Sequence, residues 1–334
     1  DATGDKTWII VRNAETGEIE MQFAVDYTTV RDLDIDTATS ITATAAGDIE
    51  ITEITGDMGV NVIESESGSI TLTAPGSIYD VRAEDETREN IITGQGATLT
   101  AGGSVGTSQD YIATDIDGTA KVTADGDINI NDSGSLVLIA DSASGQVNVT
   151  TAADLTLSNT DGNLIIGAII AGGKADITSV AGIMAGDKLG HAVNVKALHI
   201  LFAAENGDIG SIEVPIQIDT DAENDGKLSA SAINGTININ EMIGNLIIEA
   251  INASGNGTVN ITAAGEIQVG TINSQGGGDV TLVAGDGDIT EKDDTDSIAA
   301  ATTAQTAADQ ARSAADLAAA QVIILQNYVT NILP

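Results

Sequence analysis

Between residues 235 and 289 the chain repeats one short phrase in which polar and apolar positions mostly alternate. It reads Thr236-Ile237-Asn238-Ile239, Asn245-Leu246-Ile247-Ile248, Thr258-Val259-Asn260-Ile261, Glu266-Ile267-Gln268-Val269 and Asp279-Val280-Thr281-Leu282, and it begins again at Asp288-Ile289. Side chains alternate faces along a strand, so a period of two predicts strands with one buried face. Gly235, Gly244, Gly257, Gly265, Gly278 and Gly287 introduce the phrases and mark the turns between them.

The spacing of the phrases predicts the fold. Ile237 to Val259 is 22 residues, Leu246 to Ile267 is 21, Val259 to Val280 is 21 and Ile267 to Ile289 is 22. Two interleaved strand series that return at one interval describe a coil, and stacked coils pair each strand with its copies above and below in a parallel ladder. The period tightens to 19 residues from Ile128 to Val147 and from Leu136 to Leu155. The chain is therefore expected to be an all-β protein, a parallel β-helix or β-solenoid with stacked aliphatic side chains inside.

A longer, looser repeat is visible as well. Residues 42–58 match residues 122–136 and 228–246, each an Ala-rich phrase leading into Ile-x-Ile, and Gly103-Ser104-Val105-Gly106 and Gly207-Asp208-Ile209-Gly210 precede the second and third copies. A super-repeat of 80 to 110 residues used three times is expected, its length varying with inserted loops. Residues 162–203 are the most apolar part and suit strands covered on both faces, with loops folded back over them.

The two ends read differently. Residues 6–25 read as a hairpin turning at Glu15-Thr16-Gly17, a capping element. After Ser297 no Gly or Pro occurs before Pro334, and Ala300, Ala304, Ala307, Ala311, Ala314 and Ala318 recur at alternate intervals of 4 and 3. That pattern predicts a helix of about 30 residues with a narrow alanine seam, which is stable only against a closely approaching partner. The seam is the expected assembly interface, against the solenoid itself or another subunit. The expected division is residues 1–30 as cap, 31–295 as shaft and 296–334 as helix.

Composition sharpens this picture. Of 334 residues 37 are Gly, only seven are aromatic and none is Cys, so burial rests on Ile, Leu, Val and Ala, and no disulfide framework or thiol chemistry exists. Fifty acidic against 12 basic residues leave a net charge of −38. Such a surface repels phosphate and argues against nucleic acid as a partner. No apolar run reaches the length needed to span a bilayer. The chain opens on Asp1 without a visible signal peptide, as a mature product or an excerpt would.

Two readings of the acidic residues stay open. Most form a solvated skin that keeps a long column soluble. The oxygen-rich turns at Asp115 and Asp117, at Asp219 and Asp221, at Asp286 and Asp288, and at Asp293 and Asp294 also suit Ca²⁺, the one cofactor the sequence suggests. His191 and His199, without Cys or a third ligand, read as structural. Basic residues and aromatic platforms are too few for a convincing polysaccharide-cleaving site. The Thr-x-Thr phrases at Thr42/Thr44, Thr71/Thr73 and Thr98/Thr100 read as solvated strand faces, their spacing being too irregular for a flat ice-binding array.

The phrases Gly47-Asp48-Ile49-Glu50-Ile51-Thr52-Glu53 and Gly68-Ser69-Ile70-Thr71-Leu72-Thr73-Ala74-Pro75-Gly76-Ser77-Ile78, with residues 97–106 and 207–210, resemble those of very large secreted bacterial proteins of the filamentous-haemagglutinin-like, β-strand-repeat type. The resemblance covers residues 40–290 and implies export, a right-handed β-helical shaft, and a role in adhesion, biofilm or fibres. The alanine seam is not part of that pattern. The expectation is thus a non-enzymatic extracellular structural rod at the cell surface, whose partners are further copies of itself, head to tail or side by side, and a surface polysaccharide. A polysaccharide-acting enzyme and a calcium-dependent binding module are the alternatives.

Overall fold

The computed structural model describes residues 40–82, 87–221 and 224–292, together with the backbone of the strands Ile9–Arg12, Ile19–Gln22 and Val30–Ile35. The predicted alanine helix, its six seam residues, Asp293 and Asp294 lie outside the described residues. So does the proposed turn at residues 15–17, although the backbones of Ile9–Arg12 and Ile19–Gln22 pair antiparallel. The chain divides into two compact units, residues 1–290 and 291–334. The first is the solenoid.

Two parallel walls run along this solenoid, and the chain alternates between them for about twelve turns. The first wall holds thirteen strands, from Val30–Ile35 at one end to Ile289–Glu291 at the other. The second holds fourteen, with Ile41–Ala45 and Val280–Ala284 at its ends. No α-helix occurs among the described residues.

The registers agree with the spacing in the sequence. Ile237 pairs with Val259 and Val259 with Val280 in the second wall, while Leu246 pairs with Ile267 in the first. Ile128 meets Val147, and Leu136 meets Leu155, across the shorter coils. Inward-pointing residues therefore stack in columns along the axis. One column runs Ile70, Ala97, Ala120, Leu138, Leu157, Ile177, Phe202, Ala230, Ile251. Phe202, fully buried, is followed by Ala230, so a large side chain is accommodated by a small one in the next layer.

Acidic residues ahead of the strands hold the coils together. The Oδ1 of Asp48 accepts both N–H and O–H of Ser69, and the Oδ1 of Asp208 does the same for Thr236. Asp57, Asp127 and Asp154 accept the N–H of Ser77, Gln146 and Lys174, each one coil further on. Asn163 and Asn245 do so for Gly182 and Glu266. The Gly-Asp-Ile phrase thus has a structural meaning: the carboxylate meets an amide that the corner leaves without a ladder partner.

The loose super-repeat needs correcting. Ile49-x-Ile51 of its first copy lies in the first wall, whereas Ile128-x-Ile130 and Ile237-x-Ile239 lie in the second. Both walls demand the same alternation, so a phrase match does not tell them apart. Two stretches about 104 residues apart do repeat in space. The strand Met58–Ser65 pairs first with Ile78–Asp80 and then with Ile91–Thr93, and Leu164–Ala171 pairs first with Ile183–Ala185 and then with Val195–Ala197. In each case the intervening residues leave the wall.

A buried asparagine ends each departure. Asn90 Nδ2 donates to the carbonyls of Val60 and Asn61 while its Oδ1 accepts the N–H of Ala113. Asn194 Nδ2 donates to Ile166 and Gly167, and its Oδ1 accepts the N–H of Gln217. One coil further, Gly106 and Gly210 adopt φ of +67° and +66°, where a Cβ would come within 2.5 Å of the carbonyl of Asn129 or 2.4 Å of that of Asn238. After Ala185 the chain does fold back on the wall, Gln146 bonding both the N–H and the C=O of Asp187.

The threonines also depart from expectation. Thr71 stands beside Thr98, and Thr73 beside both Thr52 and Thr100, which in turn adjoins Thr123. Irregular spacing in the chain does not disturb their alignment, because extra residues loop out elsewhere and leave the ladder in register. Thr42 and Thr44 lie on the other wall.

Coil contact is closest where a turn has no side chain. A Cβ on Gly118 would lie 1.0 Å from the carbonyl oxygen of Gln95, while one on Gly162 (φ +64°) would meet nothing within 4 Å. Gly118→Ala is expected to cost about 3 kcal/mol or more and to strip amide-exchange protection from the strand Gly96–Ala101. Gly162→Ala is expected to cost only about 1 to 2 kcal/mol, from its backbone angle alone. Hydrogen exchange with mass spectrometry on the two variants measures the contrast.

Candidate functional site

The largest concavity among the described residues is a cleft of about 690 Å³ at a corner of the second wall. It forms because neighbouring strands there end at different heights. Ile218 pairs with Glu241, the last residue of its strand, so Asp219 and Thr220 overrun it. Lys196, Asp219, Thr220 and Asp221 line the cleft, with Ile243 and Asn245 opposite. Lys196 and Asp219 are register neighbours, and their Nζ and Oδ2 lie 2.5 Å apart.

Behind this lining Glu241 is fully buried. Its Oε2 accepts the N–H of Thr220 at 2.9 Å and the hydroxyl of Thr220 at 2.8 Å, and its Oε1 accepts the N–H of Ile243 at 3.3 Å. Burial pushes its pKa up to about 7; the charge of Asp219 adds to the rise, and the hydrogen bonds from Thr220 and Ile243 oppose it. A carboxyl of this pKa has the value a general acid needs. Its geometry does not serve that role, since both oxygens face backbone and hydroxyl donors of the wall.

The same device occurs without a cleft. Asp132, also buried, takes the hydroxyl of Thr114 at 2.7 Å and the N–H of Gly134 at 2.9 Å, and burial raises its pKa too. Buried Glu53 accepts the N–H of Thr55. Thr93 and Ser179 perform the task with a hydroxyl, accepting from Gln95 and Ala181. A polar side chain at the end of a strand, bonded two residues onward, is thus a general way of turning the corner here.

A smaller cleft of about 410 Å³ lies beside the first departure from the wall, lined by Asp80, Arg82, Tyr111 and Asn131 among others. Arg82 Nε and Nη2 grip Asp80 at 2.8 to 3.1 Å, and Asn90 Nδ2 donates to the same carboxylate at 2.8 Å. Burial acts to raise the Asp80 pKa, but the bonds from Arg82 and Asn90 hold it below the ordinary value. Burial raises that of Tyr111. The guanidinium is committed to Asp80 and to the carbonyl of Arg88, which leaves it little to offer a ligand.

The residues that the sequence suggested for calcium do not converge. Asp115 is exposed on its strand and Asp117 on the following turn. Asp219 is engaged by Lys196, and Asp221 accepts from Asn224 Nδ2. Asp286 and Asp288 are exposed beside the last strand. Among the described residues no three His, Asp or Glu side chains gather as a metal ion would require. His191 is exposed; His199 sits between Lys174 and Lys227 on the first wall, its Nδ1 buried without a partner. Glu241 and Asp132 were missed by the sequence reading, because nothing in a single acidic position announces that it ends a strand.

The pH dependence of Glu241 can be measured. A carboxyl whose folded pKa lies above its unfolded value stabilises most while protonated, so its contribution is complete below about pH 4.5 and is lost as pH rises to about 7. The span corresponds to about 3 kcal/mol at most. Amide protection around Thr220 is therefore expected to fall between pH 5 and 7, and Glu241→Gln is expected to flatten that fall.

No protein-family model matches the chain, and neither a curated protein nor a solved structure matches it.

Proposed function

We propose that the chain is a structural element of the cell surface, a shaft or subunit of a bacterial adhesin or filament related in kind to the filamentous-haemagglutinin-like repeat proteins. Its partners in this reading are further copies of itself and a surface polysaccharide. One observation carries the proposal: the acidic turn residues, which alone in this sequence promised chemistry, serve as coil-to-coil bonds. Asp48, Asp57, Asp127, Asp154 and Asp208 each accept an amide of the following coil. A chain that uses its carboxylates in this way is organised for a long stiff column with a repelling skin, which suits a spacer held away from a surface.

The enzyme alternative asks for two carboxylates facing a substrate across a groove. In the larger cleft Glu241 is sealed beneath Thr220 and Asp219 is held by Lys196.

Electron microscopy of the purified chain is expected to show rods of constant width. Incubation with acidic and neutral polysaccharides is expected to release no reducing ends or unsaturated products, with retention of rods on one of those polysaccharides in co-sedimentation. Turnover that is lost in Asp219→Asn would overturn the structural reading in favour of the enzyme. A rise of many degrees in melting temperature with Ca²⁺ would favour the calcium-dependent module instead.

A further inference from the structure

The solenoid is finished differently at its carboxyl-terminal end. Inward-pointing residues elsewhere are sealed: Val259, Ile261 and Ile267 are 0% exposed. Their successors one coil on are open, Val280 at 46% and Ile289 at 48%, although they occupy the same columns. The strands Val280–Ala284 and Ile289–Glu291 each close one wall, paired on one side only. A fresh apolar layer and a free strand edge therefore coincide.

The hydrogen-bonding code stops at the same place. In the interior, the residue just ahead of a strand accepts an amide from its counterpart in the next coil, and Asp paired with Ser or Thr recurs, as in Asp48 with Ser69 and Asp208 with Thr236. The last residues in these two series are Asp279, ahead of Val280, and Asp288, ahead of Ile289. Both side chains are exposed, and among the described residues no donor meets either carboxylate.

We propose that this end is a joining surface and that its occupant is the amino-terminal end of a second copy of the chain. The strand Ile289–Glu291 would pair in parallel with Val30–Ile35 of the next copy, the strand that closes the same wall at its opposite end. Thr29 stands immediately ahead of Val30, and Val30 is in register with Ile49, so Thr29 occupies the position at which Ser69 meets Asp48. It supplies the Ser/Thr donor that Asp288 lacks. The join of two carboxyl-terminal ends is disfavoured by the same residues: Asp279, Asp286, Asp288 and Glu291 would face their own copies, with no donor between them. A head-to-tail contact is heterologous and does not close on itself, so it generates open filaments.

This inference rests on the structural reading above and locates the assembly contact in the last coil of the solenoid. Sedimentation velocity and electron microscopy of the full chain over a hundredfold concentration range test it. Particles are expected to lengthen with concentration in integer multiples of one rod. The double variant Val280→Asp/Ile289→Asp, at positions already half open to solvent, is expected to weaken association at least tenfold. Ile212→Asp, 75% exposed on the flank, is expected to change nothing.

Rods of one length at every concentration, with amides of Val280–Ala284 protected from exchange, would mean that the chain's own residues cover this end. The joining proposal would then fall while the rod reading stands. Association that survives the double variant but is lost in Ile212→Asp would place the contact on the flank and overturn the proposal equally. Globular particles with polysaccharide turnover would sink the structural reading itself.

Discussion

A strand in this protein is paired on both sides with the same chain, one coil earlier and one coil later, and that pairing constrains everything else. Parallel ladders tolerate no slip: a shift of one residue would turn every inward side chain to solvent. Ile237, Val259 and Val280 thus share a column although 21 or 22 residues separate them, and Ile128 and Val147 share one with 19 between. Extra residues must leave the wall rather than stretch it.

The departures after Asp80 and Ala185 show what such an insertion demands. When the chain leaves a wall it exposes amides and carbonyls of the strand beneath, and buried polar groups need partners. Asn90 and Asn194 supply them with one side chain that donates and accepts at once. The same reasoning explains the buried carboxyls. Glu241 and Asp132 stand where a strand ends beside a longer neighbour, and each takes a hydroxyl and an amide that the ladder cannot reach. Their raised pKa values are a consequence of position. An unusual titration in this molecule therefore marks a structural joint, and the cleft beside Glu241 follows from strands of unequal length.

A column of coils is saturated along its length and unsatisfied at its ends. Nothing in the interior distinguishes one coil from the next, so the difference between Val259 and Val280 is one of position alone. Carboxylates that bond a neighbour in the interior become unfilled acceptors at the last layer. The chemistry available for association is the chemistry of folding, repeated once more with no chain left to supply it.

Much of this was legible in the residue order. Alternation and recurrence at about twenty residues specify coils, inward faces and even registers, because those depend on neighbours that repeat the same pattern. What could not be read is whatever depends on which wall a phrase occupies and on what lies one coil away. Ile49-x-Ile51 and Ile128-x-Ile130 look alike and lie on opposite walls. Thr71 and Thr98 seem irregularly placed and stand side by side. Asp48 and Asp208 look like ligands for a cation, and only the amides of Ser69 and Thr236 stacked above them give their role. Periodicity is a local property and survives in one dimension, whereas the partner of a side chain is set by the stacking of coils.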